Sequence, residues 1–125
     1  MRPRTDQLRC FVLMMVAGLS LGLSACGRAS TTDLIGQAHS ADSSDRARAV
    51  KALGERPKEA DKVVPVLIEL LKDEDAFVRR DAALALGQLG PKAQSAATAL
   101  RAATRDRNAH VRRAAAEAVR KVEPT

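Results

Sequence analysis

Apolar residues between positions 61 and 91 fall at helical spacing in two separate runs. The first run comprises Val63, Val64, Leu67, Leu70 and Leu71, and the second comprises Val78, Ala82, Ala85, Leu86 and Leu89. Each run places its apolar side chains on one side of a helix. The acid-rich segment between them predicts a turn, with Asp75 as the N-cap of the second helix.

Pro65 limits where the first of these helices begins. Proline has no backbone N–H and is best tolerated in the first helical turn. We therefore expect this helix to start near Asp61 or Lys62. Gly90 and Pro91 follow the second apolar run and predict the end of the second helix.

The same pattern repeats at an offset of 33 residues. Residues 73–91 read DEDAFVRRDAALALGQLGP and align with residues 106–124, DRNAHVRRAAAEAVRKVEP. A third, weaker copy precedes both, and two columns run through all three copies: Leu34, Leu67 and Leu100, and Arg46, Arg79 and Arg112. No strand pattern accompanies them. The predicted fold is all-α, a short solenoid of three helical hairpins at about residues 32–57, 58–91 and 92–125.

The first 25 residues differ in kind from this repeat. A basic head containing Arg2, Arg4 and Arg9 precedes an uncharged run, residues 11–23, with the sequence FVLMMVAGLSLGL. That run is shorter than the roughly 20 apolar residues that a membrane-spanning helix needs. A basic head followed by a short apolar run is typical of an export signal. We expect residues 1–25 to form a cleavable signal helix, followed by a flexible tether at 26–31 and the helical domain at 32–125.

The end of this segment, Leu23-Ser24-Ala25-Cys26, resembles the lipobox of bacterial lipoproteins. The resemblance implies a diacylglyceryl group on the Cys26 thiol, cleavage just before this residue, and acylation of the new amino terminus, for example with palmitate. Two or three acyl chains anchor a protein stably. The resemblance also implies a cell-envelope location facing the periplasm, and Gly27 after the cysteine favours the outer membrane over the inner in a cell with both. An ordinary secretory signal is the alternative.

Composition and charge further limit the functions that this chain can have. The chain has a net charge of +6, and residues 92–125 carry eight basic residues against three acidic ones. His39 and His110 have no clustered metal ligands nearby in the sequence, and Cys10 would leave with the signal, so that only Cys26 remains. These features predict no catalytic residue, metal, cofactor or small-molecule substrate. Export and the lack of an aromatic stacking platform also exclude nucleic acid.

Residues 64–93, VPVLIELLKDEDAFVRRDAALALGQLGPKA, resemble a HEAT repeat of the short bacterial type related to phycobilisome-lyase repeats. The acid-rich turn, the Val-Arg pair and the Ala-Leu-Gly ending carry the resemblance. The offset of 33 residues is shorter than the roughly 40 residues of common HEAT units and nearer to ankyrin and tetratricopeptide repeats. The motif residues of those two families are missing.

The resemblance implies a ladder between units, made of an Asp in each turn and an Arg early in each second helix. The members would be Asp42, Arg46, Asp75, Arg79 and Arg112, with Asn108 interrupting the last acidic position. Four further cations would then be available to a partner: Arg80, Arg113, Arg120 and Lys121.

These observations predict a membrane-anchored lipoprotein that is not an enzyme and acts as a protein-protein interaction or scaffold module at the cell envelope. The sequence does not identify the protein partner. Two alternatives remain open. The resemblance includes chromophore lyases and so implies a lyase-like role, whereas the basic C-terminal repeat favours a structural role on anionic lipid or polymer. A solvated polar cap on the last helix accounts for the same charge.

Overall fold

Three residues at equivalent positions start the second helix of each repeat unit. In the computed structural model, which describes residues 28–125, Asp42, Asp75 and Asn108 have extended backbones just before these helices. Each side chain accepts a hydrogen bond from the backbone N–H two residues later, at 2.7, 2.7 and 2.8 Å respectively. The predicted cap at Asp75 is confirmed, and the amide of Asn108 caps as well as a carboxylate does.

The described residues form six α-helices and no strand. These are α1 (Thr31–Ala38), α2 (Ser43–Gly54), α3 (Ala60–Leu70), α4 (Ala76–Leu89), α5 (Ala97–Ala103) and α6 (Ala109–Val122). The 3₁₀ turns Pro57–Glu59 and Gly90–Ala96 join consecutive pairs. Within each pair the two helices pack together, which confirms the predicted all-α solenoid of three units.

The second helices form a continuous layer, with α4 packed between α2 and α6. Glycine sets their close spacing at two equivalent positions. A Cβ atom at Gly54 would lie 2.9 Å from the Cβ of Ala85, and one at Gly87 would lie 3.2 Å from the Cα of Ala118. A Cβ atom at Gly54 would clash, and one at Gly87 would force the neighbouring helix to move by a few tenths of an ångström, so glycine favours this close approach of neighbouring helices.

Aliphatic side chains make up the core of these layers. Leu53, Leu67, Leu86 and Leu100 are completely buried. The apolar residues predicted to face inward on α3 and α4 are all buried. The residues of α6 at the repeat positions equivalent to the apolar run of α4 are buried as well, except that Val119 is only partly buried. The packing of small and branched side chains therefore takes the place of aromatic residues.

Two helix boundaries differ from the prediction. α3 begins at Ala60, so Pro65 lies in the second turn rather than the first. Pro65 cannot donate to the carbonyl of Asp61, but both residues are exposed and water can reach that oxygen. α1 begins at Thr31, which was expected in the tether; its hydroxyl donates to Glu59 Oε1 at 2.6 Å and joins the first unit to the second.

The predicted signal segment at residues 1–25 and the first two residues of the predicted tether, Cys26 and Gly27, lie outside the described residues. Within residues 28–125, no helix is both long enough and apolar enough to span a bilayer.

Candidate functional site

Arg46 joins the first repeat unit to the second. Its Nε donates to Oδ2 of Asp73 at 2.8 Å, and its Nη2 donates to Oδ1 at 3.0 Å. The remaining Nη1 donates to the carbonyl oxygens of Ser40 and Ala41 in its own turn. The two charged side chains are only 9% and 8% exposed, so the pair is bidentate and almost completely desolvated.

Arg79 repeats this arrangement between the second and third units. Its Nε and Nη2 donate to Asp106 at 2.9 and 3.1 Å. Its Nη1 donates to the carbonyl oxygens of Asp73 and Glu74. The turn around Asp73 therefore binds Arg46 through a carboxylate and Arg79 through a carbonyl, which links the two contacts into one ladder.

The acids of this ladder are Asp73 and Asp106, and the expectation that they would be Asp42 and Asp75 is wrong. Asp42 and Asp75 turn their carboxylates back to cap their own helices, so they cannot also bind the arginine of the preceding unit. Asn108, for the same reason, does not interrupt the ladder. The sequence carried a usable signal, because Asp73 aligns with Asp106 at the repeat offset.

The environment of Asp106 favours its charged form. Burial raises the pKa of Asp106, but hydrogen bonds from Arg79 and from the backbone N–H of Asn108 outweigh that effect. The pKa of Asp106 therefore lies below its ordinary value.

A second surface, called here the second-helix face, consists of Phe77, Arg80 and Leu84 on α4 together with Arg113 and Lys121 on α6. At its centre lie Phe77 and Leu84, which are 65% and 39% exposed and are the exposed large apolar side chains of the described chain. They are seven residues apart on α4 and so share one side of the helix, about 10 Å apart.

Arg80 lies between these two residues. Its guanidinium carbon is 5.4 Å from the centroid of the Phe77 ring, within the range of a cation-π contact. Its Nε and Nη2 both donate to Oδ1 of Asp81, at 2.9 and 2.8 Å. Asp81, which is buried, therefore holds Arg80 in place beside Phe77, and the expectation that Arg80 meets a partner stays a prediction.

Exposed cations lie on the neighbouring helix α6. Arg113 and Arg120 are exposed and form no salt bridge with any residue between 28 and 125. Lys121 pairs with Glu117 at 2.8 Å. Of the four cations predicted to meet a partner, Arg113 and Arg120 are thus the ones that neighbouring carboxylates leave unpaired.

A cleft of about 480 Å³ lies between the second and third units. Its apolar lining includes Ile68, Leu71 and Ala103, and its charged lining includes Arg105 and Arg107. This size is within the usual range of ligand pockets. Among the described residues, no group of three or more His, Cys, Asp or Glu side chains is placed to hold a metal ion.

Comparisons with known proteins support the repeat architecture. A sequence profile of HEAT repeats matches residues 31–120. The structure is similar, with a TM-score of 0.69 and 29% sequence identity, to a chain in the complex of CpcE and CpcF of phycocyanin lyase from Nostoc sp. PCC7120. The match covers 76% of this chain and 38% of that chain, so this chain spans well under half of its neighbour's length. No curated protein sequence matches it.

The similarity to a lyase overturns one prediction. The chain was expected not to be an enzyme because its residues form no recognisable catalytic group. The solved structure that it resembles belongs to phycocyanin lyase, so that expectation is contradicted.

Lowering the pH should weaken the ladder, because Asp106 becomes protonated. Because its pKa is lowered by folding, its contribution to stability is complete above the unfolded value of about 3.9 and is lost as the pH falls through the folded value. Asp106→Asn is expected to lower the free energy of unfolding at pH 7 and to flatten its dependence on pH below about 4.

Urea unfolding followed by circular dichroism between pH 2.5 and 7 measures this effect. The matched control is Asp61→Asn, at an exposed position on α3, which should keep the wild-type slope. An Asp106→Asn variant with an unchanged acid slope would contradict the assignment.

Proposed function

This chain belongs to the HEAT-repeat family, and on that premise we propose that its second-helix face binds a partner protein. The observation that carries the proposal is the exposure of Phe77 and Leu84 on one side of α4. Large apolar side chains that share one exposed face mark interaction surfaces more strongly than scattered ones do. Burial against a partner would contribute about 1 kcal/mol or more for each side chain, because both are already partly covered.

The fixed position of Arg80 supports this surface further. Its bonds to Asp81 hold the guanidinium beside Phe77 before any partner arrives. Arginine and aromatic residues are enriched among the few residues that dominate binding energies. Less conformational entropy is lost on binding when such residues are already ordered. Exposed Arg113 at the border favours a partner that carries complementary acidic groups around an apolar centre.

Replacing both apolar residues tests the proposal. Phe77→Ser combined with Leu84→Ser is expected to reduce crosslinking to the partner at least tenfold, because two anchors of about 1 kcal/mol or more are lost. The measurement is crosslinking and quantitative mass spectrometry in cells that make the protein. The double variant should stay folded and helical by circular dichroism, since neither side chain belongs to the buried core.

Gln88→Ser is the matched control, because Gln88 is exposed on the same helix and carries no apolar anchor. If the double variant kept the wild-type crosslinks in full, the second-helix face would not be the binding surface.

We also propose that the mature chain is held at the cell envelope by lipid on Cys26. The support is the sequence Leu23-Ser24-Ala25-Cys26 behind a basic head and an apolar run. The anchor would keep the helical domain close to the membrane and so raise its effective concentration toward partners there.

Substitution of the cysteine tests this anchor. Cys26→Ser is expected to abolish labelling by radioactive palmitate and to leave the precursor uncut, because no thiol remains to accept the lipid. The control is Cys10→Ser, which removes the other cysteine of the chain and should change neither result. Labelling that persisted in Cys26→Ser would rule out the anchor.

A lyase-like role is the second candidate function. Its support is the similarity to phycocyanin lyase at 29% identity, together with the cleft between the second and third units. The similar chain was solved in a complex of two different chains. A lyase-like function of this shorter chain would accordingly require a second protein.

Coproduction experiments test the lyase-like role. If this chain is lyase-like, making it together with unmodified phycocyanin, its free chromophore and a protein partner identified by crosslinking should give covalently coloured phycocyanin. The readout is visible colour that remains on a denaturing gel. Colour no stronger than in the same mixture without this chain would contradict the role.

A further inference from the structure

The three ladder arginines are held alike, but only two of them have a carboxylate partner. Arg46, Arg79 and Arg112 each donate Nη1 to two carbonyl oxygens of the turn before their helix. For Arg112 these distances are 2.9 and 3.1 Å. The backbone of its own unit therefore orients the guanidinium of Arg112 as in the other two units.

Among the described residues, Nε and Nη2 of Arg112 have no carboxylate partner. In Arg46 and Arg79, Nε and Nη2 bind the aspartate of the next unit. Within residues 28–125 no carboxylate pairs with Arg112, and its side chain is exposed. The planar guanidinium group of an arginine can bind a carboxylate through two parallel hydrogen bonds. Arg112 is thus preorganised for a ligand that the described chain does not supply.

The surroundings of Arg112 strengthen this conclusion. Arg112, Ala116 and Arg120, called here the end face, are all exposed on α6. Their counterparts on α4 are Arg79, Ala83 and Gly87, which are buried. The end face is also close to exposed Arg107 in the turn before α6. A surface that is positively charged and partly apolar favours an anionic partner.

A second copy of the chain, stacked in the register of the repeat, does not fit this surface. Asp73 and Asp106 correspond to Ser40 in the first unit; Ser40 accepts from the backbone N–H of Asp42 as Asp73 does from that of Asp75. A stacked copy would therefore offer a hydroxyl group where the ladder needs a carboxylate. Arg120 also occupies the position of Gly54 and Gly87, where close helix approach leaves no room for a side chain.

We propose that the end face binds an acidic turn of a different protein, with an aspartate of that turn accepting two hydrogen bonds from Nε and Nη2 of Arg112. This site is separate from the second-helix face and does not depend on it. The carboxylate would take the position that Asp73 takes toward Arg46 and Asp106 takes toward Arg79.

The probe is a blocked peptide with the sequence of residues 71–77, LKDEDAF, which contains the turn that Arg46 already binds. It is titrated into the full-length chain in detergent micelles. Nuclear magnetic resonance follows the Nε–H signal of Arg112 and the backbone amides of α6. We expect saturable shifts at Arg112 with a dissociation constant on the order of 1 mM. The same peptide with Asp73→Asn should bind about tenfold more weakly.

Two protein variants complete the test. Arg112→Lys keeps the charge but loses the planar fork, and it should weaken binding about tenfold. Arg105→Lys makes the same change at an exposed arginine outside the end face and should bind as the wild type does. Phe77→Ser with Leu84→Ser should leave this titration unchanged, which separates it from the test of the second-helix face.

Three results would overturn the proposal. One is the absence of a saturable shift at Arg112. Another is equal binding by wild type and Arg112→Lys. The last is a stronger saturable response to glycerol phosphate, a soluble lipid headgroup, than to the peptide, since the end face would then recognise anionic lipid rather than an acidic protein.

Discussion

The bidentate pairing of a buried arginine with an aspartate of the next unit is the interaction on which the rest of this structure depends. A desolvated guanidinium needs partners for its donors. Arg46 and Arg79 obtain two carbonyl oxygens from their own unit and two carboxylate oxygens from the next. The spacing between turns is thereby fixed, and the glycines of α2 and α4 allow the helices to approach to match it.

The arrangement of helices could be predicted from the sequence because it depends on period and hydrophobicity. The apolar residues of α3 and α4 recur at helical spacing, and all of those predicted to face inward are buried. The ladder was harder to assign. Asp73 and Asp75 lie two residues apart in one turn, and an aspartate can serve either as a helix cap or as a ladder acid. Only the direction of each carboxylate distinguishes the cap from the ladder.

Other differences between the sequence predictions and the structure also have local causes. The preference of proline for the first helical turn was overridden at Pro65, since the exposed carbonyl that it leaves unpaired can be hydrated. The position of Arg80 depends on Asp81, its immediate neighbour in the sequence. Adjacent helical residues usually point to different sides, so helical spacing did not reveal this pair. The expectation of no enzymatic role rested on missing catalytic groups in one chain, and the similar lyase was solved as a complex of two chains.

A double-mutant cycle on Arg79 and Asp106 tests the central claim most directly. The free energy of unfolding is measured by urea denaturation for the wild type, Arg79→Met, Asp106→Ala and the double variant. If the pair joins the second and third units, its coupling energy should be about 1.5 kcal/mol or more, because the two charges are close and nearly buried. Additive effects, within about 0.5 kcal/mol, would contradict the account.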